Sequence, residues 1–208
     1  QRNAQDGVSL VQTAEGALSE VSSNLIRMRE LAIEAANGTL NVADRASLDA
    51  EFQALDDEIN RVAGETEFNG ISLLDTASVI AIQVGTASGQ TIDITTSDMQ
   101  SAALGIAGLD TTDTVNAGLA LAGLDAAIDA VVAQRGAFGA SQNRLSSAMR
   151  SISTASENLA GAESRIRDVD VASETAELTK NRILQQAAAS ILAQANTQPQ
   201  LAMSLLQG

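Results

Sequence analysis

A run of apolar residues at alternating steps of three and four constrains this chain more than any other feature. Val11, Ala14, Leu18, Val21, Leu25, Met28, Ala32 and Ala35 fall on one stripe without a polar interruption. A repeat of about 3.5 residues is the seam of a helix that packs knobs-into-holes on another helix. The stripe ends at Asn37-Gly38-Thr39, where Gly38 is expected to supply a left-handed C-terminal cap. A second helix is expected to start near Asn41, with Asp44 three positions on as a variant of the capping box. Its seam takes Leu48, Phe52, Leu55, Ile59 and Val62, and Gly64 is expected to end it.

The segment "EFNGISLL" then reads as a turn and an extended stretch. Ile80, Ile82 and Val84 alternate on one face, Thr86 to Gly89 offer a turn, and Ile92 and Ile94 return with Asp93 outward. That pattern is a β-hairpin. Residues 96–118 are rich in Gly, Thr, Asp and Ala and read as an irregular connection. A long third helix follows. Its seam is read as Leu121, Leu124, Ile128, Val131, Arg135, Phe138, Gln142, Leu145, Met149, Ile152, Ser156, Leu159, Glu163 and Ile166, with Arg135 and Gln142 fixing register. Beyond Asp168 comes a further helix with an apolar stripe at Leu184, Ala187, Ala188, Ile191 and Ala195. Nothing remains in the chain for that stripe to pack on, and Pro199 is expected to kink or end the helix. The fold expected is mainly α: an elongated antiparallel helical bundle or coiled coil with a small β-hairpin.

Composition excludes several functions. There is no cysteine, histidine, tryptophan or tyrosine, and the three aromatic residues are Phe52, Phe68 and Phe138. A serine nucleophile would have no histidine to activate it, and there is no thiol. The sole lysine is Lys180, and carboxylate pairs such as Asp56 with Asp57 read as acidic, solvated helix surface. The reading is therefore not an enzyme, with no cofactor and no metal. Asp168, Asp170 and Glu174 are oxygen donors, but they lack the glycine and ligand spacing of a calcium loop. A net charge of −14 argues against nucleic acid, whose binders neutralise phosphates. No run approaches the ~18 consecutive apolar residues of a membrane span, and no secretory leader is visible.

The stretches "RNAQDGVSLVQTAEGALSEVSSNLIRMRELAIEAANGT", "INRVAGETEFNGISLL" and "RILQQAAASILAQAN", with the ending "SLL", closely resemble bacterial flagellin. The resemblance covers residues 1–75 and about 128–208, and the hairpin "IQVGTASGQTIDI" also fits. It implies a rod domain over 1–167 and, over 168–208, the C-terminal helix of an inner coiled-coil domain. It further implies a short form without large outer domains, and an N-terminal segment, missing here, that pairs with the C-terminal helix and carries a cleavage-free export signal. The function implied is that of a structural, extracellular subunit of the flagellar filament. Its partners would be other flagellin subunits, an export chaperone, and filament cap and junction proteins. A hook–filament junction protein, and a truncated flagellin serving as an immune-receptor or chaperone-binding module, stand as alternatives.

The resemblance also assigns sites. Arg27, Leu31 and Glu51 match the residues that Toll-like receptor 5 reads, and Ile26 stands where glutamine is common, which should remove a polar contact. On a helix Arg27, Leu31 and Glu34 share the flank beside the seam, and are expected to be available to another chain. Leu184, Ile191, Leu201, Leu205 and Leu206 fall in the segment of inner-domain assembly, chaperone binding and recognition by NAIP-type immune receptors. Met203 replaces a common leucine there.

Overall fold

The computed structural model describes residues 1–167 and 170–206, with the side chains of 197–202 and 204–206 outside that description. The elements are α1 (Arg2–Ala35), α2 (Val42–Glu65), β1 (Glu67–Phe68), β2 (Ile71–Ser72), β3 (Ser78–Gln83), β4 (Thr91–Thr96), α3 (Ser101–Leu104), α4 (Thr114–Arg167) and α5 (Val171–Leu206). Two compact units result, Gln1–Ala155 and Ser156–Gly208. The division falls inside α4, earlier in the chain than the boundary expected at 167.

In the first unit α1 is the central element. All eight seam residues from Val11 to Ala35 are buried, as the heptad predicts. Its end differs from expectation. Gly38 does not adopt a left-handed backbone, and Ala36 caps α1 in the right-handed region. The orphan carbonyls are met by a side chain instead: Arg45 donates from Nε to the Ala35 carbonyl at 3.0 Å and from Nη2 to the Asn37 carbonyl at 2.9 Å. A cation at a helix C-terminus also complements the helix dipole. The same arginine ties α2 to the end of α1, fixing the antiparallel turn between them.

The start of α2 follows the sequence closely. Asp44 N–H donates to Asn41 Oδ1, and Asn41 N–H donates to Asp44 Oδ2, closing a reciprocal capping box. Phe52 and Ile59 are buried, and Leu48, Leu55 and Val62 pack half-buried against the same core. The helix passes through Gly64 to Glu65. The "EFNGISLL" segment is a minimal antiparallel hairpin, pairing Glu67 with Ser72 and Phe68 with Ile71. Asn69 (φ 52°) and Gly70 (φ 74°) both take the left-handed conformation that a two-residue hairpin turn requires.

β3 and β4 form the expected hairpin, with Ile80 opposite Ile94 and Ile82 opposite Ile92. Ile92 and Ile94 are buried and Asp93 is exposed. The hairpin lies on the N-terminal part of α1, where Asn3 Nδ2 donates to the Gln83 carbonyl at 3.2 Å. A Cβ on Gly7 would come within 3.2 Å of both Ile82 and Leu145, so the glycine permits this close approach.

Of residues 96–118, expected to be an irregular connection, Thr96 ends β4 and 114–118 open α4, while 97–113 are part of the core. They place Met99, Leu104 and Ile106 inside and include the short helix α3. One face of α2 holds them by hydrogen bonds. Asp49 accepts from Thr111 N, Gln53 donates to the Leu109 carbonyl, and Asn60 bonds Ser101 through both its amide atoms. With Asp56 these residues recur at steps of four, three and four, so they form a polar seam beside the apolar one.

α4 runs antiparallel to α1, since Glu15 faces Arg135 (3.9 Å) while Arg29 faces Asp125 (2.7 Å). Leu124, Val131, Phe138 and Leu145 are buried as expected. The intervening positions are displaced by one. Ala120, Ala127, Gln134 and Ser141 are buried, whereas Leu121, Arg135 and Gln142 flank the seam. Small residues let α4 approach its neighbours closely. Gln134, not Arg135 or Gln142, makes the internal polar contact: its Nε2 donates to the Thr95 carbonyl (2.8 Å), and its Oε1 accepts from Ser97 (2.9 Å). By length and composition alone the helix that begins at Thr114 contains a stretch apolar enough to cross a membrane. Within α4 the face of Leu124, Val131, Phe138 and Leu145 is buried, while Val115, Leu119 and Val132 are exposed.

In the second unit no described residue from 156 onward is buried. α5 continues through Pro199 to Leu206, so the proline does not end the helix.

Candidate interaction surface

Two surfaces bear on function, one on each unit. The first is built where α1 and α2 lie side by side. Arg27 Nε donates to Glu51 Oε1 at 2.8 Å, and Nη1 donates to Glu30 Oε2 at 3.0 Å. These partners hold the guanidinium above its usual basicity, with the Glu51 hydrogen bond the largest cause. An arginine guanidinium is charged at every accessible pH in any setting. The three side chains remain close to half exposed, so water screens their attraction and the group adds little to stability. What it supplies is a positioned cation flanked by two carboxylates. Ile26, 49% exposed, lies next to it.

Leu31 departs from expectation. It shares the Arg27 flank, yet its exposure is 0% and it belongs to the core. The reason is tertiary: α2 delivers Glu51 to this flank and covers it, widening the buried stripe of α1 beyond its heptad seam. Leu31 is therefore not available to a docking chain. Glu34 is exposed.

Sequence reasoning missed other exposed apolar side chains. Ile33 on α1 and Leu119 on α4 are 50% and 63% exposed. Both lie off the heptad seam, and their spacing alone carries no signal that they are uncovered.

The second surface runs along 156–206. Leu159 and Ile166 continue the α4 seam but are 70% and 84% exposed. On α5, Leu184 and Ile191 are 57% and 67% exposed, joined by Leu178, Ile183, Leu192 and Met203. Ala172, Ala176, Ile183 and Leu184 line one shallow groove that Lys180 borders. Leu201, Leu205 and Leu206 lie on α5, with side chains outside the described residues. Asp168 lies outside them as well. Among the described residues no cluster of acidic side chains is arranged to hold a metal ion.

Residues 1–79 match the bacterial flagellin N-terminal helical region, and residues 121–206 match the bacterial flagellin C-terminal helical region. A flagellin of Halalkalibacterium halodurans is 48% identical over 99% of this chain and 77% of its own length. A flagellin of Bacillus subtilis is 43% identical over 99% of this chain and 79% of its own. The crystal structure of Bacillus cereus flagellin is similar with a TM-score of 0.67 at 40% identity, covering 78% of this chain and 94% of that one. Long seamed helices, small antiparallel strand pairs and uncovered apolar helix faces together define a structural protein of the self-assembling kind. The chain belongs to the bacterial flagellin family and is a structural subunit of the flagellar filament.

Proposed function

We propose that this filament subunit polymerises by covering the apolar faces of residues 156–206 with the same segments of neighbouring copies, as an inner coiled-coil domain around the filament axis. The observation that carries this reading is the uncovered set from Leu159 to Met203, in a unit where no described residue is buried. Exposed apolar area of this extent marks a surface that another chain covers. Leu201, Leu205 and Leu206 extend the same segment. Before export a chaperone would shield it, and cap and junction proteins would meet it at the filament ends. Export would proceed without a cleaved signal peptide, and the protein has no catalytic role.

Polar replacement at the centre of the α5 stripe tests this. Leu184→Ser with Ile191→Ser should abolish filaments on the producing cells, seen by electron microscopy, while the first unit keeps its helical circular dichroism. Filaments of ordinary length from the double variant would overturn the assignment.

The α1–α2 face supports a second role, as the part of the monomer that an innate immune receptor of the Toll-like receptor 5 type reads. Arg27 fixed between Glu51 and Glu30 is a pre-ordered cation, a residue type enriched among interface hot spots. Ile26 supplies apolar contact without the amide of a glutamine. In the polymer the same face would lie between subunits, so the receptor would read free monomers.

A further inference from the structure

The turn between α1 and α2 holds a feature that neither assembly nor receptor recognition uses. Gly38 follows Asn37, and the backbone gives no conformational reason for a glycine there. Its φ is not in the left-handed region, and a Cβ built on it would meet nothing within 4 Å. The remaining chemical consequence of the glycine is an unhindered amide nitrogen beside an asparagine side chain. Both residues are exposed.

The surroundings of Asn37 favour one reaction of that pair. Its side-chain carbonyl, Oδ1, accepts a hydrogen bond from Thr39 N–H at 3.1 Å. That donor is aimed at the oxygen which would carry negative charge if the Gly38 nitrogen added to Asn37 Cγ. A fixed backbone N–H at a developing oxyanion lowers the barrier to such an addition. The chain contains a second Asn-Gly pair, Asn69–Gly70, in a different setting. There Asn69 and Gly70 are both held in the left-handed turn of the β1–β2 hairpin, and no hydrogen bond among the described residues reaches the Asn69 side chain.

We infer that Asn37–Gly38 is a self-modification site, at which the folded protein converts Asn37 to aspartate and isoaspartate through a cyclic imide. The Gly38 nitrogen forms a bond to Asn37 Cγ and loses its proton. The bond from Cγ to Nδ2 then breaks, and ammonia leaves. Water opens the imide at either carbonyl. Opening at Cγ leaves an aspartate side chain. Opening at the backbone carbonyl routes the chain through Cβ and Cγ, giving isoaspartate. The net change is gain of water and loss of ammonia, with no oxidant or cofactor.

The products act on a contact already described. Arg45 clamps the end of α1 through the Ala35 and Asn37 carbonyls. Aspartate adds a negative charge at the C-terminal end of α1, where the dipole disfavours it and Arg45 compensates. Isoaspartate lengthens the backbone by one carbon and moves the Asn37 carbonyl from Arg45 Nη2. The turn is thereby a slow, one-way marker of the age of the subunit.

Incubation of the full chain at mildly alkaline pH, followed by peptide mapping with mass spectrometry, tests the site. The peptide containing Asn37 should gain one dalton and give isoaspartate faster than the peptide containing Asn69. Gly38→Ala fits the open space and should slow the change by roughly tenfold, equivalent to about 1.4 kcal/mol of added barrier. In urea, where the Thr39 contact is absent, the rates at Asn37 and Asn69 should converge. Equal rates at the two pairs in the folded chain, or an unchanged rate in Gly38→Ala, would overturn the inference.

Discussion

Arg27 and Leu31 lie on one helical flank and have opposite fates. Arg27 keeps its head in water between Glu51 and Glu30, so removing it disturbs a screened surface contact and little packing. Leu31 is wholly enclosed, and truncating an enclosed leucine removes transfer free energy and leaves a cavity. Leu31→Ala should therefore lower the unfolding free energy by roughly 2 to 5 kcal/mol, read from urea denaturation of the monomer. Arg27→Ala should leave the urea midpoint nearly in place and weaken receptor signalling in a reporter cell. The reverse pattern, with Leu31→Ala neutral for stability and Arg27→Ala destabilising, would refute this division of roles. A single sequence shows that the two residues share a flank. Which of them is sealed depends on α2, a partner that no local spacing reveals.

At the level of elements, the polar face of α2 explains how a glycine-, threonine- and aspartate-rich connection becomes part of the core. Asp49, Gln53 and Asn60 each meet a partner in residues 101–111. Asp56 stands between them with its Oδ1 buried and unpartnered. Burial pushes this carboxyl above its ordinary value of 3.8, and the charge of Asp57 adds to the effect, against a hydrogen bond from Ser101 that lowers it. A carboxyl raised in the fold binds its proton more tightly there than in the unfolded chain. Its contribution is thus fully present below pH 3.8 and is lost as pH rises through the folded value. Asp56→Asn should shift the urea midpoint upward at neutral pH, and that gain should vanish below the ordinary carboxyl range. A variant equally stabilised at both pH values, or destabilised at neutrality, would count against the argument. α4 teaches a related lesson about register. Its apolar residues Leu124, Val131, Phe138 and Leu145 define half the seam, but the choice between Ala127–Gln134–Ser141 and Ile128–Arg135–Gln142 for the other half rests on what α4 meets. Gln134 finds Thr95 and Ser97, and that pairing selects the flank of smaller side chains.

For the whole molecule, burial separates a unit with its own core from a unit in which no described residue is buried. Local opening is cheap where few apolar contacts hold a helix. Amide exchange of the monomer should accordingly show strong protection in the centre of α1 and in α4 from Leu124 to Leu145, and weak protection in α5. Polymerisation should raise protection in α5 selectively. High protection of α5 in a verified monomer would contradict the reading that its apolar face awaits other chains.

Local pattern was enough to define the helical class, the α1 seam, the Asn41 capping box and the β3–β4 hairpin, because each is carried by residues close together in the chain. The apolar stripe of α5 was legible for the same reason, since an amphipathic face is a local pattern. Long-range packing settled the rest. Arg45 replaced Gly38 as the cap of α1, α2 enclosed Leu31, the 97–113 segment entered the core, and Gln134 set the register of α4. In each case the outcome turned on a side chain or surface from a distant element. Burial and hydrogen-bond satisfaction belong to the assembled pair of surfaces, and neither surface alone encodes them.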